Sequence, residues 1–209
     1  MSMAVELWAM QLERPLTAEE TEVLTALLPS GRRARLERIW DAARRQEPLC
    51  AYFILRRAVW EQYHWQELPP LALTEKGKPY FPDIPAVHFS ISHTDGAVLA
   101  ALSAAPVGVD VERLRPVGER VMRRLANTQD PAVFFAHWVQ REAMTKQNGM
   151  GVGASLHREP AAEAGVCCQM LDLFPGYAAA VASEEPVGSL RRYTLESLLE
   201  PWMQERSIT

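Results

Sequence analysis

Gly108-Val109-Asp110-Val111-Glu112 alternates apolar residues with acids. A period of two is that of a β-strand, in which positions two apart share a face. Asp110 and Glu112 therefore project together, while Val109 and Val111 turn into a core. Two neighbouring carboxylates half inside a protein repel each other unless a cation lies between them. A hard divalent ion such as Mg2+, which takes oxygen ligands, meets that need. An edge strand with a solvated acidic face is the other explanation, and these five residues alone favour it slightly.

The chain of 209 residues is long enough for one large domain or two small halves. Its 48% hydrophobic and 23% charged residues are those of an ordinary globular protein. A net charge of −4 argues against a general nucleic-acid binder. With no apolar run of transmembrane length and no leader pattern at the N-terminus, a cytoplasmic protein without membrane attachment is expected. Cys50, Cys167 and Cys168 lack metal-ligand spacing and are expected as reduced thiols, the adjacent pair in a strand.

Around the acidic strand, the pattern predicts a strand at Met3 to Met10 and a helix from an N-cap at Thr17 to about Leu28. A basic helix is expected over Arg32 to Arg45, with Leu36, Ile39, Trp40 and Ala43 as its apolar stripe. Pro48 punctuates before a long helix from Leu49 to His64. A short strand at Leu71 to Leu73 and a turn at Lys76 to Pro79 lead to three strands: Val87 to Ser92, Ala97 to Ser103 and Val107 to Glu112. Helices follow near Glu119 to Ala126 and Ala132 to Gln147, with a loop from Asn148 to Gly153. Strands at Val166 to Leu173 and Tyr177 to Ala182, then a short helix near Leu195 to Leu199, close the chain. This order predicts an α+β fold of two halves, residues 1–104 and 105–209.

Three further stretches carry candidate chemistry. Ser90-Ile91-Ser92-His93-Thr94 places hydroxyls and an imidazole at a strand end, where they can hold a phosphate or simply close a hairpin. A Ser–His hydrolase lacks support, because Ser92 has no nucleophile-elbow glycines and adjacent residues rarely orient as nucleophile and base. On the helix containing Trp138-Val-Gln-Arg-Glu-Ala-Met-Thr-Lys146, Glu142 and Lys146 share a face, either as a surface ion pair or as ligands for metal and phosphate. Arg32, Arg33, Arg35 and Arg38 form a solvated helix face or receive a second phosphate.

Lys-Pro at 78–79, then Phe-Ser-Ile-Ser-His, Gly-Val-Asp-Val-Glu and Trp-x-x-Arg-Glu-Ala-x-x-Lys together resemble the Sfp-type 4′-phosphopantetheinyl transferases. The resemblance runs from Arg14-Pro15-Leu16 to Pro175-Gly176-Tyr177 and the last helix. It implies two similar α/β halves with the active site in the cleft between them. It also implies transfer of the phosphopantetheine arm of coenzyme A to a serine of an apo acyl, peptidyl or polyketide carrier protein, with release of adenosine 3′,5′-bisphosphate. Position by position, Asp110, Glu112 and Glu142 resemble the Mg2+ ligands. Lys146 matches the pyrophosphate contact, while Ser92, His93, Arg32 and Arg35 match contacts to the 3′-phosphate. Lys78 and Pro79 resemble the loop against the adenine, and Glu142 or a metal-bound water is the implied base. A monomer is expected, since two halves in one chain have no need of a partner copy.

The chain departs from the family pattern in places. Gln46-Glu47-Pro48 stands where relatives often carry an arginine, and Arg141 replaces a lysine beside Glu142. The segment between Glu112 and Trp138 is shorter than usual, with Arg124-Leu125 and Thr128-Gln129-Asp130 in place of a Phe-Phe pair and a glutamate. That segment grips the carrier in the family. Its change motivates the alternative of a coenzyme A-binding protein with weak or lost transfer.

Overall fold

The computed structural model describes residues 4–151 and 164–204. Met3 and the end of the predicted Asn148 to Gly153 loop lie outside the described residues. The fold is α+β, with six α-helices and mixed sheets among the described residues. β1 (Val5–Gln11) is central to the first sheet, ordered β4 (His88–Thr94), β5 (Ala97–Ser103), β1, β9 (Val187–Tyr193). The β1–β5 and β4–β5 pairs are antiparallel and β1–β9 is parallel. β6 (Val107–Arg113), β8 (Tyr177–Ser183) and β7 (Cys167–Met170) form a second, antiparallel sheet. A short hairpin of β2 (Ala72–Leu73) and β3 (Pro79–Tyr80) turns at Gly77.

Helix α1 (Ala18–Ala26) starts where the sequence predicts. Thr17 and Glu20 form a capping box, each side chain accepting the other's backbone N–H. The basic helix is shorter than expected: α2 spans Ser30–Glu37, and a 3-10 turn follows at Ala42–Arg45. Trp40 lies between them, 90% exposed rather than in an apolar stripe. Asp41 caps that turn through the Ala43 N–H, which explains the break. Pro48 does not end a helix. It sits in the first turn of α3 (Gln46–Tyr63), where a missing N–H costs no intrahelical bond. β7, β9 and the tail also differ from expectation. β7 is shorter than the predicted segment, β9 was not expected, and α6 (Leu195–Gln204) is longer than the predicted helix.

Three apolar clusters define the layers. Trp8, Met10, Phe89 and Leu102 of the first sheet pack against Phe53, Leu49 and Leu55 of α3 and Leu198 and Trp202 of α6. Val5, Leu7, Leu99, Val109, Val111 and Val181 fill the space between the two sheets. On the far face, Ala178, Ala180 and Ala182 of β8 lie under Phe135, Val139 and Ala143 of α5 (Pro131–Gln147) and Met122 of α4 (Glu119–Ala126). Because β9 pairs with β1 and α6 packs with α3, the end of the chain returns to the first sheet. Among the described residues no helix is long and apolar enough to cross a membrane.

Candidate active site

Gly108 determines how close α5 comes to β6. A Cβ there would lie 1.9 Å from the carbonyl oxygen of Ala143 and 2.4 Å from the backbone nitrogen of Gln147. Only glycine allows that approach. Opposite β6, Gly108 pairs with Ala182, Asp110 with Ala180 and Glu112 with Ala178, so small residues extend the flat floor beneath the helix. Consequently the α5 face carrying Glu142 and Lys146 lies on the β6 face carrying Asp110 and Glu112.

Asp110 is 5% exposed. Its Oδ1 accepts from Lys146 Nζ at 2.7 Å and from Ser92 Oγ at 2.8 Å. Lys146 Nζ also donates to Ser92 Oγ (2.9 Å) and to the Val109 carbonyl (3.1 Å). Burial pushes the Asp110 carboxyl above the ordinary carboxylate range, against the pull of the Lys146 charge and of the bonds from Lys146 and Ser92. Its Oδ2 is buried without a hydrogen-bond partner. Glu112 is half-buried, accepting from Thr94 Oγ1 at 3.3 Å and Arg115 at 2.8 Å. Glu142 is 4% exposed, one turn before Lys146.

The donor set fits a hard cation in kind, since the candidate ligands are all oxygens and one buried carboxylate oxygen lacks a partner. Among the described residues, however, no group of three or more His, Cys, Asp or Glu is poised to hold a metal. A cation here would draw further oxygens from water or a bound phosphate, as Mg2+ commonly does.

The remaining predicted residues are distributed around this cluster. His93 follows Ser92 on β4 and is exposed, and its pKa lies below the ordinary value through desolvation by the surrounding wall and the nearby Lys146 charge. Consecutive strand residues point to opposite faces, so Ser92 and His93 do not form a nucleophile–base pair. Arg32 sits on α2 with its guanidinium 5.6 Å from the centre of the Tyr52 ring, and Arg35 is exposed one turn further on. Neither is bonded to the Asp110 cluster among the described residues. Lys78, just before Pro79, donates to the carbonyls of Val107 (3.2 Å) and Gln147 (3.1 Å). It thereby clasps the start of β6 to the end of α5, where the helix dipole favours a cation. Burial lowers its pKa to about 8.

Sequence reasoning missed two features here: the Lys78 clasp and the hydroxyls of Ser90 and Thr94, which accept backbone N–H groups of β6. The clasp left no local signal. The hydroxyls did, as a Ser-x-Ser-x-Thr repeat on one strand face.

No family model matches the chain. Among curated proteins it is similar to the 4′-phosphopantetheinyl transferase Sfp of Bacillus subtilis, with 25% identity over 209 aligned residues, 87% of this chain and 93% of the relative. It is 26% identical to the 4′-phosphopantetheinyl transferase psf-1 of Bacillus pumilus, over 88% of this chain and 92% of that one. The 4′-phosphopantetheinyl transferase HetI of a Nostoc species is 27% identical over 71% of the chain and 70% of its own length. Over most of its length the chain is thus similar to proteins named 4′-phosphopantetheinyl transferases, at about a quarter identity.

Proposed function

We propose that this chain transfers the phosphopantetheine arm of coenzyme A to a serine of an apo carrier protein. The observation that carries this is the Asp110–Lys146–Ser92 cluster at the β6–α5 crossing, with its unpartnered buried oxygen. Asp110, Glu112 and Glu142 would hold Mg2+. Bound there, the ion would neutralise charge on the coenzyme A pyrophosphate. Lys146 supplies a point charge to the same pyrophosphate, and its ammonium already rests on Asp110. His93 and Ser92, with Arg32 and Arg35, serve the 3′-phosphate, while Lys78 and Pro79 flank the adenine. The cleft between the N-terminal half (1–104) and the C-terminal half (105–209) is the proposed seat of coenzyme A.

In the reaction the carrier serine oxygen bonds to the β-phosphorus. The bond from that phosphorus to the bridging oxygen breaks, and adenosine 3′,5′-bisphosphate departs. The serine proton passes to Glu142, a carboxylate kept from water by burial. We place the protein in the cytoplasm as a monomer.

The test incubates a panel of apo acyl, peptidyl and polyketide carriers with the protein, coenzyme A and Mg2+, and reads intact mass. At least one carrier gains the mass of one phosphopantetheine arm. Coenzyme A binding with no carrier modified across the panel would overturn the transferase assignment.

A further inference from the structure

The two sheets meet along β4 and β6, each the outer strand of its own sheet. No backbone hydrogen bond joins these strands among the described residues. Side-chain hydroxyls take that place. The Val109 N–H donates to Ser90 Oγ (3.0 Å), the Val111 N–H to Ser92 Oγ (3.4 Å) and the Arg113 N–H to Thr94 Oγ1 (3.4 Å). The offset is 19 residues at each step, so the strands run parallel in fixed register, one hydroxyl apart.

Val109 and Val111 are at most 1% exposed, so water does not reach their N–H groups and the hydroxyls are the available acceptors. The apolar cluster between the sheets holds them together but sets no register, because apolar contact is non-directional. The hydrogen bonds do set it. Beyond Thr94 the seam is closed from the second sheet: Tyr177 Oη donates to the Asp95 carbonyl (3.0 Å), and Arg113 pairs with Asp95 at 2.5 Å. Gly96 leaves room for this contact, since a Cβ there would lie 2.7 Å from Tyr177 Oη.

We propose that Ser90 and Thr94 are positioning residues whose hydroxyls fix the second sheet against the first. They thereby set the spacing between His93 on β4 and Asp110 and Glu112 on β6. A ligand that spans both sheets, coenzyme A in the function proposed above on which this inference rests, then meets a preset cleft.

Amide exchange by NMR and coenzyme A affinity by calorimetry test this in Ser90→Ala and Thr94→Val, with Ser90→Thr and Thr94→Ser as rescues. Exchange at the Val109 amide rises ~10-fold in Ser90→Ala, and that at Arg113 rises in Thr94→Val. Coenzyme A affinity falls ~10-fold in the double variant, and the hydroxyl-retaining variants restore both. Thr94→Val keeps the side-chain shape at the outer end of the seam, so a folded variant is available should Ser90→Ala not fold. Unchanged exchange at both amides overturns the seam. Faster exchange with unchanged coenzyme A affinity overturns the positioning role. If the wild-type protein binds no coenzyme A, the proposed function and the positioning role both fall, and exchange still decides whether the seam exists.

Discussion

The two long helices cover their sheets at different distances. Helix α3 lies on the first sheet through large side chains, with Leu49, Phe53 and Leu55 meeting Trp8, Met10 and Leu102. Helix α5 lies on the second sheet nearly backbone to backbone, over Gly108 and the Ala178, Ala180 and Ala182 row. The first arrangement buries large apolar area and contributes mainly stability. The second brings Lys146 of α5 onto Asp110 of β6, with the buried Glu142 one turn before it on the same helix. Closeness there places chemistry, and the cost is that no larger residue is tolerated at Gly108.

Substitutions can break this contrast. The largest effect is expected from Gly108→Val. Its side chain would collide with the α5 backbone, which cannot rotate away, so stability falls by more than about 3 kcal/mol in denaturant melts and transfer is lost. A large-to-small change is the corresponding insult on the other side. Leu55→Ala should cost about 3 kcal/mol through the cavity it leaves, while turnover at a temperature where it stays folded remains near wild type. Equal tolerance of both variants would show that the two helices pack alike.

Lys146→Met sharpens the comparison through pH. Removing the ammonium leaves the Asp110 carboxylate buried beside no cation and raises its pKa further. A group whose folded pKa is raised contributes stability below its unfolded pKa and loses it as pH rises through the folded value. The variant should therefore be less stable than wild type by about 2 kcal/mol at pH 7, because one partner of a mostly buried pair is left alone. The deficit should shrink in acid as Asp110 takes up a proton. Urea melts across that range check the sign; a deficit growing toward acid would mean that Asp110 is not the group left unpaired.

The elements also differ in how much the sequence disclosed. The continuous apolar run of β5, the alternation in β6 and the 3.6-residue pattern of α4 and α5 set those elements within a residue or so, because local pattern and tertiary burial agree there. β9 is Val-Gly-Ser-Leu-Arg-Arg-Tyr, with too many polar residues to announce a strand. It exists because β1 offers a free edge far away in sequence. Trp40 satisfied a helical stripe on paper, but Asp41 competes for the backbone just after it. At the site, the shared faces of Asp110 with Glu112 and of Glu142 with Lys146 were legible, since each follows from one element's period. The pairing of those faces, the Lys78 clasp and the partners of the β4 hydroxyls depend on contacts between distant segments, which no local pattern records.

The most direct test of the account replaces Asp110 with asparagine, which keeps the shape of the buried side chain and removes its charge. Wild-type and Asp110→Asn proteins are incubated with an apo carrier, coenzyme A and Mg2+, and the rate of carrier mass gain is followed. The account predicts a loss of about 10²–10³-fold with the fold intact by circular dichroism. Transfer at the wild-type rate would contradict it.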